Sequence, residues 1–140
     1  MNSSPDPHFR AKPWETAVIP KILIVEDNDE NRDIVCRRLA RRGYVIVTAT
    51  NGVEGFYRAC TEKPDVILMD IGLPEMNGLR AINLLKQARA TRGIPIIVLT
   101  AHILETDNAF EAGCDEFCSK PVDFRRLNDA IDHLLASVTR

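Results

Sequence analysis

The sequence predicts an α/β domain built on a doubly wound parallel sheet. Short apolar runs recur along it, at KILIV (21–25), YVIVTA (44–49), DVILMD (65–70), IPIIVLT (94–100) and DEFCS (115–119). The longer of these show no alternation of apolar and polar residues, so they read as strands buried on both faces. A helical pattern follows each run, and strands alternating with helices argue a parallel sheet covered on both sides, joined by right-handed crossovers.

Each helix has its own signals. From about Asn28 to Arg42, Ile34, Val35 and Leu39 supply an apolar stripe, Arg41 and Arg42 suit the negative end of the helix dipole, and Gly43 is a stop. Asn51 and Glu54 have the N-cap and N3 spacing of the second helix, which Pro64 closes. Asn77-Gly78 opens the third, with Leu79, Ile82 and Leu85 in register. A weaker helix from about Leu104 to Ala112 stops at Gly113. It has few apolar anchors, as expected of an element that moves in switching. The last helix, N-capped by Asp123, places Phe124, Leu127, Ile131, Leu134, Leu135 and Val138 on one face.

The 140 residues suffice for one domain with a real core, expected over 21–138. Residues 1–20 hold four prolines and no periodic pattern, and read as a flexible leader in which Trp14 is a candidate for docking on the domain. A net charge of −2 argues against a broad basic surface for nucleic acid. The apolar runs fall far short of the ~18 residues a membrane span needs. With no secretory signal, a cytoplasmic location and reduced thiols are expected. Cys114 and Cys118 lack a second pair at ligand spacing, so they and Cys36 and Cys60 read as small apolar residues, not zinc ligands.

In open parallel sheets, ligands bind at the carboxyl ends of the strands. Here strand one is followed by Glu26 and Asp27, strand three ends in Asp70, strand four in Thr100, and strand five is followed by Ser119, Lys120 and Pro121. Strand two offers only Thr48 and Thr50. One such residue at one strand end is ordinary turn chemistry. Chemically matched groups at four ends describe a site with three carboxylates, one hydroxyl and one ammonium. Crowded carboxylates resist joint ionisation, and a hard divalent cation such as Mg²⁺ removes that penalty. An ionised Asp70 is then placed as a nucleophile toward a phosphoryl group. Gly72 and Pro74 fit a tight turn that brings the Gly72 carbonyl toward the metal and clears the approach to Asp70.

The motifs ILIVEDN (22–28), DVILMDIGLPEMNG (65–78), PIIVLTA (95–101) and GCDEFCSKP (113–121) together resemble the receiver domain of two-component response regulators, over roughly 21–138. The resemblance implies a flavodoxin-like sheet of order 2-1-3-4-5 and the following roles. Asp70 accepts a phosphoryl group from a histidine kinase or histidine phosphotransfer protein. Asp27 binds Mg²⁺ directly, Glu26 acts mainly through metal-bound water, and the Gly72 carbonyl completes the set. Lys120 pairs with Asp70 and then with the phosphoryl oxygens. Thr100 swings to the phosphoryl group, and the Phe117 ring turns inward with it. Lys120-Pro121 is cis. The resemblance further implies intrinsic autophosphatase activity, a lifetime tuned at positions such as Gly72 and His102, and output read on the last two helices and strand five.

Two departures from the family's pattern stand out. Phe117 lacks the hydroxyl of the more usual tyrosine, and Arg126 stands where DNA-binding members of the winged-helix class carry Glu. No direct DNA binding is expected. A stand-alone regulator with a separate output protein is the first reading; a receiver cut from a hybrid kinase or larger regulator is the alternative. An aspartyl-phosphate phosphatase of the haloacid-dehalogenase type is disfavoured, because its acid/base position two residues after the nucleophile is Gly72.

Overall fold

Strands that send apolar side chains to both faces need a helix layer on each side. The computed structural model, which describes residues 19–72, 78–101 and 106–138, has that arrangement. In chain order the elements are β1 (Lys21–Val25), α1 (Asp29–Arg41), β2 (Val45–Ala49), α2 (Gly52–Glu62), β3 (Val66–Asp70), α3 (Gly78–Gln87), β4 (Ile96–Thr100), α4 (Thr106–Ala112), β5 (Glu116–Ser119) and α5 (Phe124–Val138). All pairings are parallel and the sheet order is β2-β1-β3-β4-β5, as the resemblance implies.

Alternate residues feed two cores. Leu23, Val25, Ile67, Met69, Ile96 and Val98 face Ala59 of α2, Ala81, Ile82 and Leu85 of α3 and Ala109 of α4. Ile22, Ile24, Val66, Leu68, Ile97 and Leu99 face Val35 and Leu39 of α1 and Leu127, Ile131 and Leu134 of α5. Two cation contacts tie α1 to α5: the Arg38 guanidinium lies 4.2 Å from the Phe124 ring centroid, and Arg42 donates to both Asp132 oxygens at 3.3 Å.

The caps match the sequence reading. Asn28 and Asn51 each accept the N–H three residues on at 2.8 Å, and Asp123 accepts that of Arg125 at 3.0 Å. Glu54 reaches back to the Thr50 N–H at 2.7 Å, a bond that holds its carboxyl below the usual range. Gly43 and Gly113 take left-handed φ of 96° and 118° at helix ends.

Several details differ from the sequence reading. β2 is an edge strand with Val45 exposed and Ile46, Val47 and Thr48 only half-buried. Ile34 leaves the α1 stripe and is 47% exposed. Asp65 lies before β3, and its carboxylate accepts the Lys21 N–H at 2.8 Å. Lys63 ends α2 with a left-handed φ of 50°, ahead of Pro64. Residues 1–18 of the predicted leader, with Trp14, and Pro74, Asn77, His102 and the start of the weak helix lie outside the described residues.

Cys114 belongs to one core and Cys118 to the other, both nearly inaccessible. Burial, with the Asp115 charge second, pushes the Cys114 thiol up to about 11 from its ordinary 9.0. A folded value above the unfolded one gives stability that is full below pH 9 and lost as pH rises through 11, about 2–3 kcal/mol for two units. Urea titrations from pH 8 to 11 are expected to show that alkaline loss reduced in Cys114→Ala; an unchanged slope would count against it.

Candidate functional site

Five parallel strands bring their carboxyl ends to one edge, and the predicted groups meet there. Glu26 follows β1 and turns inward, 3% exposed. Its Oε1 accepts from Lys120 Nζ at 3.0 Å and its Oε2 from the Asn28 N–H at 3.2 Å. Asp27 faces solvent. Asp70 ends β3, 9% exposed; Oδ1 accepts from the Gly72 N–H at 3.0 Å and Oδ2 lies 3.4 Å from Lys120 Nζ. Carboxylate oxygens of Glu26, Asp27 and Asp70 lie within 4.8 Å of one another.

Thr100 ends β4, 2% exposed, and pairs in register with Ser119. Its carbonyl accepts the Lys120 N–H at 2.8 Å, which fixes Lys120 at the site, and Lys120-Pro121 is cis. Thr50 stays out of the site, because its hydroxyl donates to Glu54 at 3.0 Å. Phe117 lies two pairs earlier on β5, opposite Val98, so it shares a sheet face with Thr100.

Burial raises the Glu26 carboxyl above its ordinary range, and the Asp70 charge adds to this against the bonds from Lys120 and the Asn28 N–H. Burial alone would depress Lys120, but the Glu26 bond and the Asp70 charge outweigh it and the ammonium is held above its ordinary value. Three carboxylates face one cation. That all-oxygen, negative donor set fits a hard divalent ion.

Two residue roles and one contact escaped the sequence reading. Gly78 was read only as a helix opener, yet a Cβ there would fall 2.3 Å from Ile71 Cα. Arg32 donates to the Glu26 carbonyl at 2.9 Å, holding the loop that carries both acids. Arg126 packs on Phe117, with its guanidinium carbon 5.6 Å from the ring centroid. An arginine one turn into a helix carries no sequence signal for such a contact.

The family model of the response regulator receiver domain matches residues 22–132. The chain belongs to that family. Among relatives of this receiver domain, protein PilH of Pseudomonas aeruginosa is 36% identical over 118 residues, which is 83% of this chain and 98% of PilH. The polar-differentiation response regulator DivK of Brucella anthropi is 36% identical over 120 residues, 84% of this chain and 98% of DivK. Hybrid signal transduction histidine kinase G of Dictyostelium discoideum is 40% identical over 117 residues, 80% of this chain but 3% of that kinase. Among solved structures, the receiver domain of a Pseudomonas aeruginosa sensor histidine kinase, with a magnesium ion coordinated in its active site cleft, superposes with a TM-score of 0.80 at 29% identity, covering 85% of this chain and 99% of that one. Receiver domains are the phosphoacceptor switches of two-component signalling. No helix among the described residues is long and apolar enough to cross a membrane.

Proposed function

We propose that this receiver domain takes a phosphoryl group onto Asp70 from the phosphohistidine of a histidine kinase or phosphotransfer protein. The observation that carries the reading is the meeting of three carboxylates within 4.8 Å, with Lys120 3.4 Å from Asp70. A carboxylate oxygen of Asp70 forms the new O–P bond while the N–P bond of the donor breaks, its electron pair returning to the imidazole. Glu26, Asp27, Asp70 and the Gly72 carbonyl would hold Mg²⁺, which when bound neutralises charge on the transferring group. Lys120 supplies the second positive charge. The Gly72 N–H already orients one Asp70 oxygen. Thr100 then hydrogen-bonds the acyl phosphate, Phe117 follows it inward, and a separate output protein reads the change. Water slowly returns Asp70 to its free state, the intrinsic autophosphatase step.

The stand-alone reading is supported by PilH and DivK, each matched over 98% of its length. The reading as one receiver of a hybrid kinase is supported by the 40% identity to a 3% segment of the Dictyostelium kinase.

Intact mass after incubation with acetyl phosphate and Mg²⁺ tests the site. One added phosphoryl group is expected, absent in Asp70→Asn and in EDTA. No adduct in the wild-type protein, with no binding of beryllofluoride, would refute the reading.

A further inference from the structure

The half-buried Phe117 ring packs against one core and meets two further partners at the junction of α4, β5 and α5. The Phe110 ring of α4 meets it in a T-shaped contact, with centroids 6.0 Å apart and planes at 88°. From α5, Arg126 lays its guanidinium 5.6 Å from the centroid and donates Nη2 to the Phe117 carbonyl at 3.3 Å. Arg126 is exposed, and Glu116, Asp123 and Asp129 line the same 430 Å³ surface pocket. With carboxylates near it, the guanidinium still lies over the aromatic ring. The carbonyl bond fixes where the planar fork sits, so the cation over the ring is orientationally constrained.

We infer that Arg126 is a positioning residue for the switch: it holds the Phe117 ring at the α4–β5–α5 surface and opposes its inward turn. This rests on the proposal that Phe117 moves when Asp70 is phosphorylated. The carbonyl bond belongs to the backbone and survives a ring rotation. The cation–π contact belongs to the ring and does not. Its loss therefore falls on the inward state alone, and a contact made in only one of two states shifts their populations. By linkage, whatever disfavours the inward state weakens any ligand at Asp70 that favours it, and the reverse also holds. An exposed cation–π contact corresponds to about a two- to fivefold shift.

The test is titration of beryllofluoride with Mg²⁺ into wild-type protein, Arg126→Met and Arg126→Lys, by calorimetry, with the Phe117 and Phe110 ring resonances followed by NMR. Arg126→Met keeps the apolar stem and removes the cation; Arg126→Lys restores a cation. The expected result is about two- to fivefold tighter binding in Arg126→Met, near wild-type binding in Arg126→Lys, and displaced Phe117 resonances in all three bound forms. Equal affinities with Phe117 still displaced would overturn the role of Arg126 and leave the switch intact. Binding without displacement of the Phe117 resonances would overturn the switch reading and this inference with it. No binding at all would overturn the phosphoacceptor reading itself.

Discussion

Replacing Lys120 with alanine is expected to slow phosphoryl uptake by about 10²- to 10³-fold, the usual cost of removing one preorganised charge partner from a developing anion. Lys120 Nζ sits 3.0 Å from Glu26 and 3.4 Å from Asp70, so its loss leaves these carboxylates with no ion-pair partner among the described residues. Mg²⁺ affinity is expected to rise, because the ammonium competes for the same oxygens; a fall would mean the site had collapsed. Stability at neutral pH is expected to drop by about 2 kcal/mol, less than for a fully buried pair because Lys120 is one-fifth exposed. The pH dependence separates this from a packing defect. Burial, then the Asp70 charge, hold Glu26 above its ordinary value, and Lys120 pulls it down. Without Lys120 it rises further. A raised folded value means stability that is full below the unfolded value and lost as pH rises through the folded one. The deficit of Lys120→Ala should therefore be present at pH 7.5 and vanish near pH 4 in urea titrations. An equal deficit at both would point to lost packing of the lysine stem.

The sheet and its site edge were legible because they follow from local rules. Runs such as VILMD have no polar face, helices separate them, and a parallel sheet then delivers Glu26, Asp27, Asp70, Thr100 and Lys120 to one edge whatever the strand order. The order itself came from the family resemblance, since right-handed crossovers leave more than one topology. Exposure at the sheet margin was not legible. Val45 sits in a run as apolar as its neighbours, and only the position of β2 at the edge leaves it uncovered. Ile34 reads as part of the α1 stripe, but the core lies under Val35 and Leu39. Contacts between distant elements were invisible for the same reason: Arg126 on Phe117 and Arg42 on Asp132 depend on how helices pack, which no spacing encodes.

Gly78→Ala is expected to cost about 1–3 kcal/mol and to slow phosphoryl uptake by about 100-fold, although residue 78 carries no reacting group. The sequence reading gave the turn glycine role to Gly72. The structure adds a steric role at Gly78, where a side chain would collide with backbone. Gly72 has no left-handed φ, and a Cβ there would rest 3.7 Å from Asp70 Oδ1, an ordinary contact. A Cβ on Gly78 would fall 2.3 Å from Ile71 Cα and 2.5 Å from the Asp70 carbonyl oxygen. Both neighbours are backbone, so no rotamer change relieves the clash. Either α3 retreats or the end of β3 does. The helix is pinned by Ala81, Ile82 and Leu85, each fully buried, and Asp70 is pinned in register with Leu99. The Gly78 N–H bond to the Ile71 carbonyl, 3.2 Å, would be strained by either movement. Displacing the end of β3 moves the Asp70 carboxylate relative to Lys120, Glu26 and Asp27, and reactions that depend on positioning are sensitive to such shifts. Gly55→Ala is the control: its Cβ would meet Val25 side-chain carbons at 2.9 and 3.1 Å, a longer contact and with a side chain instead of backbone, so a smaller loss is expected. Urea midpoints and acetyl phosphate uptake, measured on Gly55→Ala, Gly72→Ala and Gly78→Ala together, decide the matter. Wild-type stability and uptake in Gly78→Ala would show that α3 shifts freely and that Asp70 is positioned without it.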